Sequence, residues 1–533
     1  MCGIFGQISK KRINKLNLEV IVKHSEQRGV DSSGLIYFKN SRYKVDKADL
    51  NIEKLLRKSK PYDSSVILGH SRLITNGLGD NQPVVKDNIC VIHNGIIVNE
   101  EEIWQKLKTT RDLKIDSEVI AAIASEHLKD GGDFSDVADK ILQMCRGVVA
   151  CALIVPSLGK IVLFSNNGSL YVGLIGEDVY FASEKYALTQ IKCKNIEQVK
   201  SQHFFIDIPK SNSNIEINNI STRKEDLIPE FVINKNQEKL LKYEKVLDLK
   251  RCSKCILPET MPYIKFDSKG VCNYCHNYKK RNKPKPKDEL FQLVENYRKP
   301  GQELDCIVPF SGGRDSCYGL HLVLEELGMK PVTYTYDWGM VTDLGRRNIS
   351  QMCGDLGVEN IIIAADISQK RRNIKMNLQA WLKSPHLGMM AILTAGDKHF
   401  FRHVESIKKQ TGINLNLWGV NPLETTHFKT GFLGLKPDFE EDKVYSNGVM
   451  KQIKYHSKRF KAMIQSPGYY NRSLWDTLSG EYFRSFTEKQ DYFHIFDYYR
   501  WDEKEVNNTL IGKYAWETAV DTSTTWRIGD GTA

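Results

Sequence analysis

From residue 304 the chain changes rhythm, and the new rhythm leaves few folds open. An apolar run over 304–309 meets a glycine-rich turn. An amphipathic stretch over 311–327 follows, then an apolar run at 331–336, a helical pattern over 343–356 and a third apolar run at 360–364. Strands alternating with helices predict a parallel, doubly wound sheet, because parallel neighbours need a crossover and the crossover helices then cover both faces. Ligands of such sheets sit outside the carboxyl ends of the strands, and the glycine-rich turn falls at one of those ends.

The first 210 residues read differently. Short β-rich runs at 66–68, 91–92, 148–155 and 160–164 are separated by polar turns. Helical spacing occurs at 18–24 and at 118–128, where Val119, Ile120, Ile123, Ala124 and His127 share a face. This predicts a mixed α+β domain whose helices cover its sheet. Residues 212–250 turn to Asn, Lys and Glu and end in a helical stretch at 237–247, the pattern of a connection. We divide the chain into 1–215, a connector 216–250, a cysteine-bearing element 251–285 and a doubly wound unit 286–533. No internal repeat or low-complexity tract interrupts this plan.

Composition narrows the function classes. A chain of 533 residues with 41% hydrophobic and 26% charged residues builds more than one core and is neither disordered nor fibrous. No apolar run approaches the ~20 residues of a membrane span, and the start lacks a signal-peptide core, so a cytoplasmic protein with no membrane span is expected. The net charge of +11 suits anionic ligands. The basic run 279–287 lacks interleaved aromatics and reads as a solvated linker, so no nucleic acid partner is expected.

Three constellations carry chemistry. Cys252, Cys255, Cys272 and Cys275 form two C-x-x-C knuckles with sixteen residues between them, the spacing of a tetrahedral four-cysteine zinc site with no open position, which points to a structural Zn²⁺. The remaining cysteines mostly lie in apolar runs and read as small core residues. Cys2 follows the initiator Met; removal of that Met would place a thiol nucleophile and an α-amine base on one residue. Ser311-Gly312-Gly313-Arg314-Asp315-Ser316 lies between a strand and a helix. There its glycines let backbone amides close on phosphate oxygens, the helix terminus adds positive potential and the hydroxyls donate further bonds. The lack of a Walker A lysine motif and of G-x-G-x-x-G removes support for γ-phosphate transfer and dinucleotide binding.

Five ordered segments resemble the class II glutamine amidotransferases: Cys2-Gly3-Ile4-Phe5-Gly6, Arg28-Gly29-Val30-Asp31-Ser32-Ser33-Gly34, Gly69-His70-Ser71-Arg72-Leu73, Asn81-Gln82-Pro83 and His93-Asn94-Gly95-Ile96-Ile97-Val98-Asn99. The resemblance implies an N-terminal nucleophile hydrolase sandwich in which Cys2 attacks the glutamine amide. Asn94 and the Gly95 amide would form the oxyanion hole, Arg72 would hold the α-carboxylate and Asp116 the α-amine. Val30 stands where a proline is usual, which changes loop rigidity and removes no catalytic group.

The S-G-G-x-D-S loop resembles that of PP-loop ATP pyrophosphatases, which cleave ATP to AMP and pyrophosphate. The resemblance implies that Ser311, Gly312, Gly313 and Ser316 cradle the pyrophosphate and that Asp315 holds Mg²⁺, with Lys398 and Lys429 as further phosphate contacts. The cysteine element, this loop, the run 383–389, the segment Ala395-Gly396-Asp397-Lys398 and Asn421-Pro422-Leu423-Glu424 resemble the N-acetyl sugar amidotransferases of surface polysaccharide biosynthesis over roughly 248–533. That family implies conversion of an acetamido to an acetamidino group on a sugar, with glutamine, ATP and the acceptor sugar as partners. A fused glutaminase departs from the family's usual separate subunit, so none is expected here, and self-association into a homodimer is left open. Asparagine synthetase also joins a class II glutaminase to a PP-loop but lacks the four-cysteine insert and the segments at 383–424. An RNA-modifying PP-loop enzyme would explain the paired cysteines but has no use for glutamine-derived ammonia. Residues 523–533 resemble an internal family motif normally followed by more helix, which predicts a chain that stops before its fold does.

Overall fold

The computed structural model describes residues 2–74, 80–221, 248–278, 283–301, 303–393, 399–421, 427–437, 439, 449–485, 487, 489–520 and 525. Most of the expected connector, its helical stretch at 237–247, the start of the basic run at 279–282 and all of 523–533 except Thr525 lie outside them.

The first half is a four-layer sandwich. Its larger sheet comprises β1 (Gly3–Ile8), β2 (Ser32–Lys39), β3 (Arg42–Ala48), β4 (Val66–Arg72), β9 (Tyr171–Ile175), β10 (Asp178–Ala182), β11 (Lys194–Gln198) and β13 (Glu216–Ser221), in the order β11-β9-β10-β1-β4-β2-β3-β13. The smaller comprises β5 (Val84–Lys86), β6 (Ile89–Ile97), β7 (Gly147–Val155), β8 (Lys160–Ser165) and β12 (Phe204–Asp207), in the order β12-β8-β7-β6-β5. Alternation at a period of two explains the layering. Ile4, Ile36, Val66 and Leu68 point inward to meet Ile92, Ala150, Ala152 and Leu163 of the second sheet. Phe5, Leu35 and Ile67 point outward under the helices Lys15–Ser25 and Ile52–Ser59. Val91, Val149, Cys151 and Leu153 are covered on the far side by the helices Glu118–Lys129 and Val137–Met144. Both faces of the central strands are therefore buried and those strands read as nearly continuous apolar runs, whereas β11, β12 and β13 at the sheet edges stay partly exposed. His127 departs from the expected apolar face: it lies outside the core, and its Nε2 bonds the Asp133 carbonyl at 3.1 Å beyond the last turn.

The second half holds a fully parallel sheet of β14 (Cys306–Pro309), β15 (Pro331–Asp337), β16 (Asn360–Ala364), β17 (Asn416–Trp418) and β18 (Tyr492–His494), in the order β16-β15-β14-β17-β18. The order reverses beside β14, so the topological switch point lies between the carboxyl ends of β14 and β17. One face packs on the helices Arg314–His321, Asp343–Asp355 and Glu503–Tyr514, through Val308, Leu320, Ile349, Met352, Val506 and Leu510. The other packs on the helix Phe400–Thr411 through Val404 and Ile407. The expected helix at 311–327 begins only at Arg314, because Gly312 takes a left-handed φ of 75° and Gly313 is extended to form the turn.

The halves share a buried seam. Ile96 and Val148 of the sandwich belong to the same apolar cluster as Ile349 and Met352 of the parallel-sheet unit. Across it, Tyr171 donates to Glu359 at 2.6 Å, Asn167 to the Val358 carbonyl at 3.2 Å, Arg347 to the Val98 carbonyl at 2.8 Å and Arg28 to the Asn360 carbonyl at 3.3 Å.

Candidate active site

Cys2 enters β1 from the edge where β4 and β6 also end, and it is 5% exposed. Its main-chain nitrogen donates to Asn94 Oδ1 at 3.0 Å. With the oxygen end of the Asn94 amide turned to that nitrogen, its NH2 end is left to serve as a donor, and Gly95 follows it in β6. A Cβ on Gly95 would lie 1.8 Å from the Val148 carbonyl oxygen, so the strand approaches its neighbour more closely there than any side chain would allow.

Arg72 closes β4 and is 2% exposed. It donates to the Asp80 carbonyl and, at 3.0 Å, to Asn81 Oδ1. Burial draws its pKa down from the ordinary arginine value, opposed by the charges of Cys2, Asp116, Asp80 and Asp31 around it. Arginine remains a cation under such a pull. Asp116 accepts from the Ile97 amide at 2.9 Å through Oδ2, which brings it to the strand that carries Asn94. The loop before it is fastened by Glu118, which accepts from the Asp112 and Leu113 amides and pairs with Lys86 at 2.8 Å. Cys2, Arg72, Asn94, Gly95 and Asp116, spread over more than a hundred residues of sequence, thus converge on one end of the sandwich.

Residues that sequence reasoning passed over support them. His93 is fully buried and burial holds its imidazole below the usual pKa; its Nε2 faces the Val148 carbonyl at 3.1 Å and its Nδ1 faces Ser117 Oγ at 3.1 Å. Since a carbonyl only accepts, Nε2 carries the proton of the neutral ring. Gln82 accepts from the His93 amide at 2.6 Å and donates to its carbonyl at 3.0 Å, tying the loop after Arg72 to β6. His93 and Gln82 lie inside the quoted motifs, so position was the only signal they offered.

At the switch point, Ser311 Oγ and Ser316 Oγ are 3.0 Å apart and the Ser311 amide donates to Ser316 Oγ at 3.2 Å, closing the turn on itself. A Cβ on Gly312 would fall 2.0 Å from the Gly345 carbonyl oxygen, and one on Gly419 would fall 2.7 Å from that of Asp315. Asp315 Oδ1 is engaged: Trp501 Nε1 donates to it at 2.9 Å and Arg314 at 3.2 Å. Trp516 Nε1 donates to the Gly312 carbonyl at 3.2 Å, and Arg314, 3% exposed, pairs with Glu503 at 2.8 Å. The carboxyl-terminal helix region therefore buttresses the turn, an arrangement no local motif announces. Lys398 and the segments 395–398 and 422–424 lie outside the described residues, as does the side chain of Lys429.

The four cysteine sulfurs of 252, 255, 272 and 275 lie within 4.8 Å of one another, with Sγ–Sγ separations of 3.8 Å for Cys252 and Cys275 and 3.6 Å for Cys255 and Cys272. A tetrahedron with sulfurs ~2.3 Å from its centre has edges of about 3.8 Å, so the donor set fits a metal held by four thiolates. Amides of Lys254 and Cys272 donate to Cys252 Sγ at 3.4 and 3.2 Å. Burial raises the pKa of this thiol, but the backbone donors outweigh it and bring it down to about 6.

Residues 70–190 match the family described as the glutamine amidotransferase domain. A glutamine–fructose-6-phosphate aminotransferase of Wigglesworthia glossinidia brevipalpis is 31% identical over 204 residues, 36% of this chain and 33% of that protein. Its counterpart in Sulfolobus acidocaldarius is 31% identical over 196 residues, 34% and 33%. The chain thus spans about a third of the length of the curated relatives it matches. A glutamine phosphoribosylpyrophosphate amidotransferase of B. subtilis superposes over 98% of this chain and 99% of its own at 16% identity, with a TM-score of 0.36, too low to support further comparison. The sandwich of the first half, with Cys2 at its edge, is a class II glutamine amidotransferase domain of the N-terminal nucleophile hydrolase type.

Proposed function

We propose that the whole chain is a glutamine-dependent, ATP-consuming amidotransferase that converts an acetamido group of a sugar to an acetamidino group in surface polysaccharide biosynthesis. One observation supports this: β6, whose Asn94 accepts from the Cys2 nitrogen, and the helix Asp343–Asp355, whose Gly345 carbonyl abuts Gly312 of the S-G-G-R-D-S turn, pack against each other in the buried seam. Ammonia made on one side is needed on the other.

In this scheme Cys2 Sγ attacks the glutamine side-chain carbonyl, the former main-chain nitrogen accepting the thiol proton once Met1 is removed. Asn94 Nδ2 and the Gly95 amide receive the charge on the tetrahedral oxygen. Arg72 holds the α-carboxylate and Asp116 the α-ammonium. Ammonia leaves, and water frees glutamate from the thioester. At the second site the acceptor's amide oxygen attacks the α-phosphorus of ATP and pyrophosphate departs onto the turn of Ser311, Gly312, Gly313 and Ser316. Asp315 would hold Mg²⁺, whose charge screens the phosphates when it is bound. Ammonia adds to the activated carbon, a proton is lost and AMP leaves with the former amide oxygen. The four-cysteine element takes a structural Zn²⁺ and no part in the chemistry.

Incubating the protein with amide-¹⁵N glutamine, ATP and acetamido sugars tests this by mass spectrometry. The expected products are a sugar bearing ¹⁵N in place of its amide oxygen, AMP and pyrophosphate. ADP as the stoichiometric nucleotide product would sink the proposal, and AMP release driven by aspartate would replace it with asparagine synthesis.

A further inference from the structure

The strand that carries Asn94 and Gly95 takes part of its support from the other half of the chain. Ser350, fully buried in the helix Asp343–Asp355, accepts from the Val148 amide at 2.8 Å and donates to the Ile96 carbonyl at 2.7 Å. Ile96 and Val148 face one another across the β6–β7 ladder, so one hydroxyl clasps the two strands at the residue after Gly95. The Val148 peptide is held on its other side by the glutaminase. Its carbonyl faces His93 Nε2 at 3.1 Å and abuts Gly95, where a Cβ would come within 1.8 Å.

The helix bearing Ser350 has little slack. A Cβ on its Gly354 would meet the Gly147 carbonyl oxygen at 2.3 Å, and its Gly345 carbonyl lies 2.0 Å from where a Cβ on Gly312 would be. Arg347 of the same helix donates to the Val98 carbonyl at 2.8 Å and pairs with Glu517 at 2.7 Å. The helix therefore touches the glycine turn at one end, β6 and the residue after it along its middle, and the start of β7 at its far end.

We infer that Ser350 is a positioning residue for glutamine hydrolysis, setting the Val148 peptide and through it the oxyanion donors on β6. It touches neither glutamine nor Cys2, so it acts on transition-state geometry and not on substrate affinity. This rests on the glutaminase reading of Cys2, Asn94 and Gly95. Loss of an oxyanion donor costs on the order of 100-fold or more in kcat, and displacement of one should cost about 10-fold.

The test is steady-state glutamine hydrolysis by the full chain carrying Ser350→Ala. The expected result is kcat lowered about 10-fold with KM within about twofold, since Arg72 and Asp116 are untouched. Alkylation of Cys2 by iodoacetamide should be unchanged, and amide hydrogen exchange should quicken over 94–97 and 147–149 alone. Ser350→Cys, close in shape and a poorer hydrogen-bonding group, keeps the test open if the alanine variant folds badly; it should lose most of kcat in the same pattern. Wild-type kcat in both variants, or a loss of kcat accompanied by faster exchange throughout the sandwich, would overturn the inference. A wild-type chain that hydrolyses no glutamine would sink the functional reading instead, and the exchange pattern of Ser350→Ala would then decide the role of Ser350 by itself.

Discussion

The proposed reaction gives Cys2 and Arg72 separable jobs, and substitution should separate them. In the proposed reaction Cys2 carries the nucleophile; its nitrogen donates to Asn94 Oδ1 at 3.0 Å. Cys2→Ala should therefore abolish glutamine-dependent product while product from ammonium salts persists, measured with both nitrogen sources side by side. Equal loss with both would show that the two sites do not divide the reaction. Arg72 is a planar fork buried among acidic neighbours and held by the Asp80 carbonyl and Asn81. A lysine reproduces the charge but not two parallel donors. Arg72→Lys should raise KM for glutamine by about 10- to 100-fold, the ~1.5–3 kcal/mol of a hydrogen bond to a charged group, with kcat affected less. A variant with unchanged KM would remove Arg72 from the substrate's carboxylate.

At the scale of elements, what could be read in advance was what lies close in sequence. The strand at 360–364, the knuckles at 252–255 and 272–275, and the turn at 311–316 are each complete within a few residues, so spacing and alternation reveal them. The supports of the turn are not local. Trp501, Trp516 and Glu503 reach Asp315, Gly312 and Arg314 from about two hundred residues away, and an indole that packs on a loop looks in sequence like any core tryptophan. The turn and the knuckles each have a single change that should break them. Gly312 combines a φ of 75° with a Cβ direction blocked at 2.0 Å by the Gly345 backbone, where no flexible side chain can yield. Gly312→Ala should abolish ATP consumption while glutamine hydrolysis falls at most about 10-fold, the loss expected if the displaced helix Asp343–Asp355 disturbs the Ser350 clasp, assayed as AMP release and glutamate formation in the same samples. Cys255→Ser removes one corner of the sulfur tetrahedron. One tightly bound zinc per chain should fall towards zero by elemental analysis, with stability lowered by several kcal/mol, because binding energy of a structural metal is folding energy. Iron in place of zinc would change the assignment of the site.

For the whole molecule the seam decides whether the halves act together, and nothing in the sequence marks it. Its contacts are backbone carbonyls and single polar side chains set among apolar strands, and pairing across it depends on the tertiary arrangement of both units. One of its groups gives the seam a pH dependence. Glu359 is 5% exposed at the start of β16, and burial pushes its carboxyl up from the ordinary glutamate value to about 7. The Tyr171 hydroxyl at 2.6 Å lowers it in part, with Gln198 beside it; Glu184 adds to the rise, and the cations of Arg28 and Lys185 oppose it. Glu184 is itself a settled anion, since Arg28 and His24 outweigh its burial and bring it down to about 2. In the unfolded chain Glu359 titrates near 4.5, so between about 4.5 and 7 the folded state binds the extra proton. Stability from this group is then complete below 4.5 and is lost as pH rises through 7, on the order of 1–3 kcal/mol in all. Glu359→Gln mimics the protonated form without a proton to lose. Thermal unfolding followed from pH 5 to 8 should show the wild-type midpoint falling relative to the variant's as pH rises, the two being closest at the acid end. A midpoint difference that is flat across this range, or that widens towards acid, would show that Glu359 is ionised within the seam and that the halves are joined there by charge.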